Sequence, residues 1–413
     1  MRFLLALLYV APLAPLLGQG VVPPFQLGQV HPLPGLNAGS VPASEVHLVH
    51  MVHLPGDPPS VFYCAAAVAG LSPAYGGVGG FNDLLCGSYD VLTDTFIPNN
   101  EAAALNTIAN DVNMSLHHTG LFAVFERGFA SSLMAEAWLV SRPAIGQPWQ
   151  IVGRIAPLPP QGPYFPALAD YQGQPHLLYS PMMGTQAYNI LMAQIDLTAA
   201  VLTAPPTVIV NPIIGVFGPF GPIPVTDPNG ELIGVSHGAL DYTSIDHYMS
   251  LDLNPWTPPV LMNDVTTLNQ ASGFVGGRFF DFDATVPYHI FAIDTCWFTG
   301  GRAAVGGTMY VRMFSPPTSG PQLYLSMFAV NSAFSLVGLP IPPVQGLLGI
   351  NAAGGWASAL ILHNNANGEA QVSFVIPNVP GLRGARLSAQ SATWETVSGA
   401  VYLGNTAQLL VDW

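Results

Sequence analysis

From Glu45 onward apolar and polar positions alternate in short runs, and nearly every run ends at a cluster of Gly, Pro, Asn or Asp. Alternation with period two, bounded by turn formers, predicts strands rather than helices. The clearest unit is Pro224–Leu253, PVTDPNGELIGVSHGALDYTSIDHYMSLDL, which reads as strand, tight turn, strand, loop and strand. The same order recurs in VHLVHMVHL with SVFYCAAA and LLCGSYDV, in VNMSLH with LFAVFER and AEAWLVSR, and in FPALADY with PHLLYSP and YNILMAQIDL. A more divergent fifth copy runs RFFDFDA, TVP, YHIFAID, GTMYVRMF and QLYLSMFAV. The second strand opens at Ser60, Leu121, His176, Glu231 and Tyr288, a repeat of about 55–61 residues.

Five four-stranded units at near-constant spacing predict radial repetition, a five-bladed β-propeller over residues 44–335. Turns such as Gln172-Gly173 and Asn229-Gly230 supply the backbone freedom that the tight connections need. One stretch departs from the pattern: Asn99–Asn110, NNEAAALNTIAN, has helical propensity and predicts a short helix or loop between the first two copies. At Ser335–Pro343, SLVGLPIPP, the period stops, and residues 336–413 alternate as short strands that suggest a small β-sandwich. The run VSFVIPNVPGLRGARLSAQSATWE followed by VYLGNTAQLLV resembles a β-sandwich module at the C-termini of secreted planctomycete-type bacterial proteins. The expected fold class is therefore all-β, a propeller followed by a sandwich.

Ahead of the repeat, MRFLLALLYVAPLAPLLGQG carries one Arg, an apolar run and small residues, and reads as a signal peptide over residues 1–20, cut near Gly18–Val21. Residues 21–43, rich in Pro and Gly, read as an extended lead-in. Secretion or attachment to the cell envelope is the resulting expectation. Hydrophobic residues make up 50% of the chain and charged ones 8%, but 43 Gly and 40 Pro interrupt every later apolar run. No transmembrane segment is expected after the leader. The net charge of −14 removes the basic stripe that nucleic acid requires, and all nine basic residues are Arg, which excludes Schiff-base chemistry.

Export permits disulfides, and Cys64 and Cys86 on neighbouring strands are the expected pair, leaving Cys296 as a buried thiol. His47, His50 and His53 share one strand, but residues six apart there stand about 20 Å apart, so no zinc site is expected of them. His117 and His118 precede a turn glycine and read as surface residues, and Asp170 and Asp227 read as turn formers. No metal or cofactor is expected.

In a propeller the connections from strand two to strand three and the crossovers between blades share one end, and ligands bind there. Those connections are expected at about 70–83, 126–135, 180–187, 236–246 and 294–307. Candidate ligand-binding residues at that end are Glu126, Arg127, His237, Asp241, Tyr242, Asp246, Asp294, Trp297 and Arg302, with Ser180 and Ser236 beside them. Carboxylate, imidazole and guanidinium beside exposed aromatic rings suit a carbohydrate, whose hydroxyls take paired hydrogen bonds and whose ring faces stack.

A five-bladed propeller is similar to the fold of furanosidase and arabinanase-type glycoside hydrolases. That resemblance implies two carboxylates flanking the scissile bond and a third that tunes the acid, roles open to Glu126, Asp294 and Asp246. The acidic motif of those enzymes at the start of the first blade has no counterpart, because VHLVHMVHL carries no acid. The expected function is a secreted or surface-associated, non-catalytic protein recognising an extracellular glycan or cell-surface component. A propeller glycoside hydrolase and a structural envelope or scaffold protein are the alternatives.

Overall fold

The computed structural model describes residues 30–32 and 45–411 apart from connecting segments, the longer of which are 129–134, 159–164, 182–188, 212–218, 254–259, 262–269, 315–323, 341–346 and 351–356. Side-chain surroundings are described mainly between residues 50 and 238. The chain is all-β, with only two 3-10 turns, Pro73–Tyr75 and Pro380–Leu382, among the described residues. No helix among them is long and apolar enough to cross a membrane.

Five antiparallel sheets make up the ring. Blade 1 has strands Glu45–Val52, Val61–Ala69, Asp83–Asp90 and Thr95–Asn99. Blade 2 has Asn110–Leu116, Phe122–Gly128, Ala135–Ser141 and Gln150–Arg154. Blade 3 starts with Ala167–Tyr171, Gln174–Tyr179 and Ile190–Asp196, with two short strands on its outer edge, and blade 4 has Pro219–Thr226, Leu232–Leu240, Ile245–Ser250 and Val260–Leu261. Blade 5 is built from Gln270–Val275, Arg278–Asp283, His289–Ile293 and, as its outermost strand, Val30–Pro32. The innermost strand of each blade adjoins that of the next, and Gln270–Val275 adjoins both Pro219–Thr226 and Glu45–Val52, which closes the circle. All-β repetition of this kind protects its edges by closing on itself.

Blade 5 departs from expectation. RFFDFDA and YHIFAID are its second and third strands, not its first and second. The lead-in supplies the fourth strand, with Val30 opposite Ile293 and Pro32 opposite Phe291. GTMYVRMF and QLYLSMFAV, expected in this blade, pair elsewhere: Thr308–Phe314 with Glu369–Val375, and Tyr324–Asn331 with Ala357–His363 and Arg386–Glu395. The reason is closure, since a strand from the N-terminus already occupies the outer edge of the last blade. Strand pairing therefore changes hands after Ile293, well before the hinge at Ser335.

Blades pack face to face, so their second strands are apolar on both sides and read as continuous runs. Val61–Ala69 is buried along almost its whole length. Tyr63, Ala65, Leu84 and Cys86 of blade 1 meet Met114, Leu116, Ala123, Phe125, Val140 and Trp149 of blade 2. On the other side of blade 2, Val124, Ala137 and Leu139 meet Leu168, Leu177 and Tyr179 of blade 3. Burying one such Leu or Phe contributes roughly 1.5–3 kcal/mol, which makes these interfaces the main source of stability.

The same alternation overturns the expected disulfide. Cys64 and Cys86 lie on paired strands, but Cys64 stands opposite Gly87 and Cys86 opposite Ala65. An offset of one residue sends the two side chains to opposite faces of the sheet. Both are buried free thiols, and burial raises the pKa of each, Cys86 to about 12. Of the short helix or loop expected at Asn99–Asn110, the structure takes the loop. Residues 101–105 form successive turns, with Ala103 N–H donating to the Asn100 carbonyl and Leu105 N–H to that of Ala102. Ala102 and Leu105 are drawn into the core between blades 1 and 2, and Asn106 ends the segment by bonding both backbone groups of Leu84.

The innermost strands carry bulges at His47/His50, Val112/Ser115, Phe220/Ile223 and Ala271/Gly273, which add the twist an inner strand needs near the axis. Side chains then bridge neighbouring blades: the Leu116 N–H donates to His50 Nδ1 at 3.1 Å, and the Leu168 N–H to Ser115 Oγ at 3.2 Å. Burial lowers the His50 pKa from 6.5 to about 4. The unfolded chain takes up this proton near pH 6.5 and the folded chain only near 4, so stability falls as pH drops through that window. The loss is about 1.4 kcal/mol per pH unit, ~3 kcal/mol in all. Urea midpoints measured from pH 7 to 4 are expected to fall more steeply for the wild type than for His50→Gln, and equal slopes would refute the assignment.

Candidate functional site

The loop-bearing end of blades 1 and 2 is where polar chemistry concentrates among the described residues. Asp83 opens the third strand of blade 1, Asp111 is the second residue of the first strand of blade 2, and Glu126 nears the exit of the second strand of blade 2. Backbone geometry joins the two blades there, because the Asp111 N–H donates to the Asn82 carbonyl at 3.0 Å and Asn82 Nδ2 to Asn110 Oδ1 at 2.8 Å.

The three carboxylates sit in unlike environments. Asp111 is clamped: Arg127 Nε donates to its Oδ1 at 2.7 Å, and the Thr107 N–H and hydroxyl donate to its Oδ2 at 2.8 and 2.9 Å. Glu126, 1% exposed, accepts Asn113 Nδ2 at 2.6 Å. Asn113 reaches it from the bulge of the innermost strand, where its φ of 55° lies in the left-handed region that Asn tolerates better than most residues. Asp83, also 1% exposed, takes the Val78 N–H on Oδ2 at 3.2 Å, while its Oδ1 has no partner among the described residues. Burial raises the Asp83 pKa; the Val78 bond works against that and the Asp111 charge adds to it. Phe81, 64% exposed, and Ile108, 85% exposed, stand on the segments that lead into Asp83 and Asp111.

The sequence candidates divide accordingly. Glu126 falls at the expected end of the ring. Arg127 falls there too, but its guanidinium is committed to Asp111 and the Leu105 carbonyl and lies over the Phe125 and Trp138 rings. His237 is not on a loop: the second strand of blade 4 continues to Leu240, His237 stands opposite Tyr248, and its ring is fully buried. Most of the expected 236–246 loop is therefore strand. Asp246 is the second residue of the next strand, opposite Ala239, at the loop-bearing end. Trp297 pairs with Arg312, on a strand that joins Glu369–Val375 and not blade 5. Asp241, Tyr242, Asp294 and Arg302 lie outside the described residues, as do Asp227 and Cys296. Asp83 and Asp111 were not singled out from sequence. Their one signal is position, since each stands within the first two residues of a strand at the loop-bearing end.

At the opposite end, His117 is not a surface residue, being 5% exposed. Asp170 is a strand residue opposite Pro175 rather than a turn former, and its carboxylate faces both His117 and His118. Burial pushes its pKa up, but the two imidazole contacts outweigh that and hold it well below the usual carboxylate range.

Comparison with known proteins gives structural similarity only. No family model matches the chain, and no curated protein matches it in sequence. Among solved structures, an α-L-arabinofuranosidase from Lactobacillus brevis is similar at 11% identity and a TM-score of 0.45, over 62% of this chain and 91% of that one. A thermostable family-43 glycoside hydrolase is similar at 10% identity and a TM-score of 0.44, over 63% and 93%. An exo-β-1,3-galactanase from Phanerochaete chrysosporium is similar at 11% identity and a TM-score of 0.40, over 89% and 95%. These neighbours are hydrolases. The expected non-catalytic glycan-binding function is corrected accordingly, and its hydrolase alternative is taken up instead.

Proposed function

We propose that the chain is a glycoside hydrolase of propeller fold, acting on a polysaccharide at the loop-bearing end of the ring. One observation supports this above the rest: Asp83, Asp111 and Glu126 share that end of two adjoining blades in unlike environments, Asp83 buried with one backbone donor, Asp111 clamped by Arg127, and Glu126 held by an amide. Glycosidic cleavage needs one carboxyl that holds a proton at neutral pH and one that does not. Asp83, raised by burial and by the Asp111 charge, suits the acid that protonates the leaving oxygen. Glu126, positioned by the Asn113 amide, suits the partner carboxylate. Asp111, paired with Arg127, stands near enough for its charge to add to the upward push on the Asp83 carboxyl. Phe81 offers an exposed ring on which a sugar face stacks.

The test is a hydrolysis screen of the full chain on arabinan, β-1,3-galactan and other neutral polysaccharides, reading release of reducing sugar. Release that disappears in Asp83→Asn is the expected result. A folded wild-type protein that releases nothing from the set would sink the proposal.

A further inference from the structure

We propose that His117, His118 and Asp170 form a binding site for a zinc-like divalent transition-metal ion, which clips the tight-turn ends of blades 2 and 3 together. The site lies at the opposite end of the ring from the three carboxylates and is independent of any hydrolysis there. His117 Nε2 stands 3.0 Å from Asp170 Oδ1, and His118 Nε2 stands 2.8 Å from Asp170 Oδ2. The three ligand atoms all lie within 4.8 Å of one another. Donors bound to zinc at about 2.0–2.1 Å in tetrahedral array stand roughly 3.3 Å apart, so small side-chain rotations close the cluster around an ion. Two imidazole nitrogens with one carboxylate favour zinc, and disfavour calcium and magnesium, which take oxygen. Three protein ligands leave a fourth position for water, reached past the half-buried His118.

The surroundings orient the ligands. His117 Nδ1 is 2.9 Å from Thr119 Oγ1, a contact of the kind that fixes ring orientation and tautomer in metal-bound histidines. The Asp170 N–H donates to the Gly230 carbonyl at 3.1 Å, which anchors its backbone to blade 4. Gly230 also makes room for His118: a Cβ there would come within 2.2 Å of the imidazole, and its φ of +85° favours glycine as well. Glu231 receives the Gln172 and Gly173 N–H groups, which holds the blade 3 turn beside the site. Without metal, the same three groups satisfy one another, each imidazole sharing a hydrogen bond at Nε2 with the one carboxylate. That alternative is what the test must separate.

Untagged full chain, stripped with chelator and dialysed, is titrated with zinc chloride by calorimetry and, separately, with cobalt(II) while visible absorption is followed. One equivalent per chain and the absorption bands of four-coordinate cobalt are expected. His118→Ala and Asp170→Asn should each weaken zinc binding by about 10–100-fold or more, while His176→Ala, elsewhere on blade 3, leaves it unchanged. The cobalt spectrum of the wild type needs no variant to fold. Absence of zinc binding by the wild type, cobalt bands of an octahedral aquo ion only, or affinity unchanged in a folded Asp170→Asn protein would each overturn the proposal.

Discussion

Arg142→Met is expected to lower the stability of the ring by about 3–5 kcal/mol, the usual cost of breaking a buried ion pair from one side. The Arg142 side chain has no solvent exposure and pairs with Glu101. Its guanidinium lies between the rings of Tyr63 and Trp149, 4.3 and 4.4 Å from their centroids, and its Nε donates to the Gly120 carbonyl. The Tyr63 hydroxyl donates to the same Glu101 carboxylate and accepts Trp149 Nε1–H at 3.2 Å. One cation therefore holds the turn of blade 2, the crossover between the blades and the core of blade 1. Met fills similar volume but leaves Glu101 as a charge with no counterion and the Gly120 carbonyl without this donor. Arg142→Lys keeps the charge and loses the flat surface that stacks between the rings, so an intermediate loss is expected. Chemical denaturation midpoints measure both. If Arg142→Met stayed within about 1 kcal/mol of wild type, the pair would have to be nearly neutral in net energy, as some buried ion pairs are.

Glu126→Gln is expected to reduce the proposed glycosidase turnover by about 10²–10⁴-fold, the range that general acid–base groups contribute. The replacement is nearly isosteric, and its amide oxygen can still accept Asn113 Nδ2, so the unfolding midpoint should move little. That split distinguishes a chemical role from a structural one. A purely structural Glu126 predicts the reverse, a lowered midpoint with turnover per folded molecule unchanged. Asp83→Asn adds a second discriminant, because removing the raised-pKa acid should abolish the alkaline limb of the pH–rate profile along with most of the rate.

Much of the ring can be read from the chain. VFYCAAAV, FAVF and HLLYS are apolar on both sides because each lies between two neighbouring blades, and that pattern marks second strands well. The three-residue strand Val30–Pro32 has no pattern to read, since its pairing with His289–Ile293 depends only on where the chain's start meets the last blade. Missing that strand shifts the fifth copy by one place, and so carries Trp297 onto the wrong sheet. Glu126 was legible as a polar residue at the end of an apolar run. Asp83 and Asp111 were not, because an acid at the start of a strand looks like any turn former until the neighbouring blade buries it.

The histidines make the same point. His117-His118 beside a turn glycine reads as exposed, and only the approach of the Asp170 strand from blade 3 and of Gly230 from blade 4 turns it into an enclosed cluster. Cys64 and Cys86 fail in the other direction: sequence places them on adjacent strands, but a register offset of one residue separates their side chains. By itself the sequence determined the all-β class, the repeat, the turns and the end of the ring that carries the longer connections, because those follow from local periodicity and turn chemistry. Only the tertiary structure decided which strand closes the circle, which face each side chain takes, and which acids and histidines meet, because those depend on contacts between blades that local pattern does not encode.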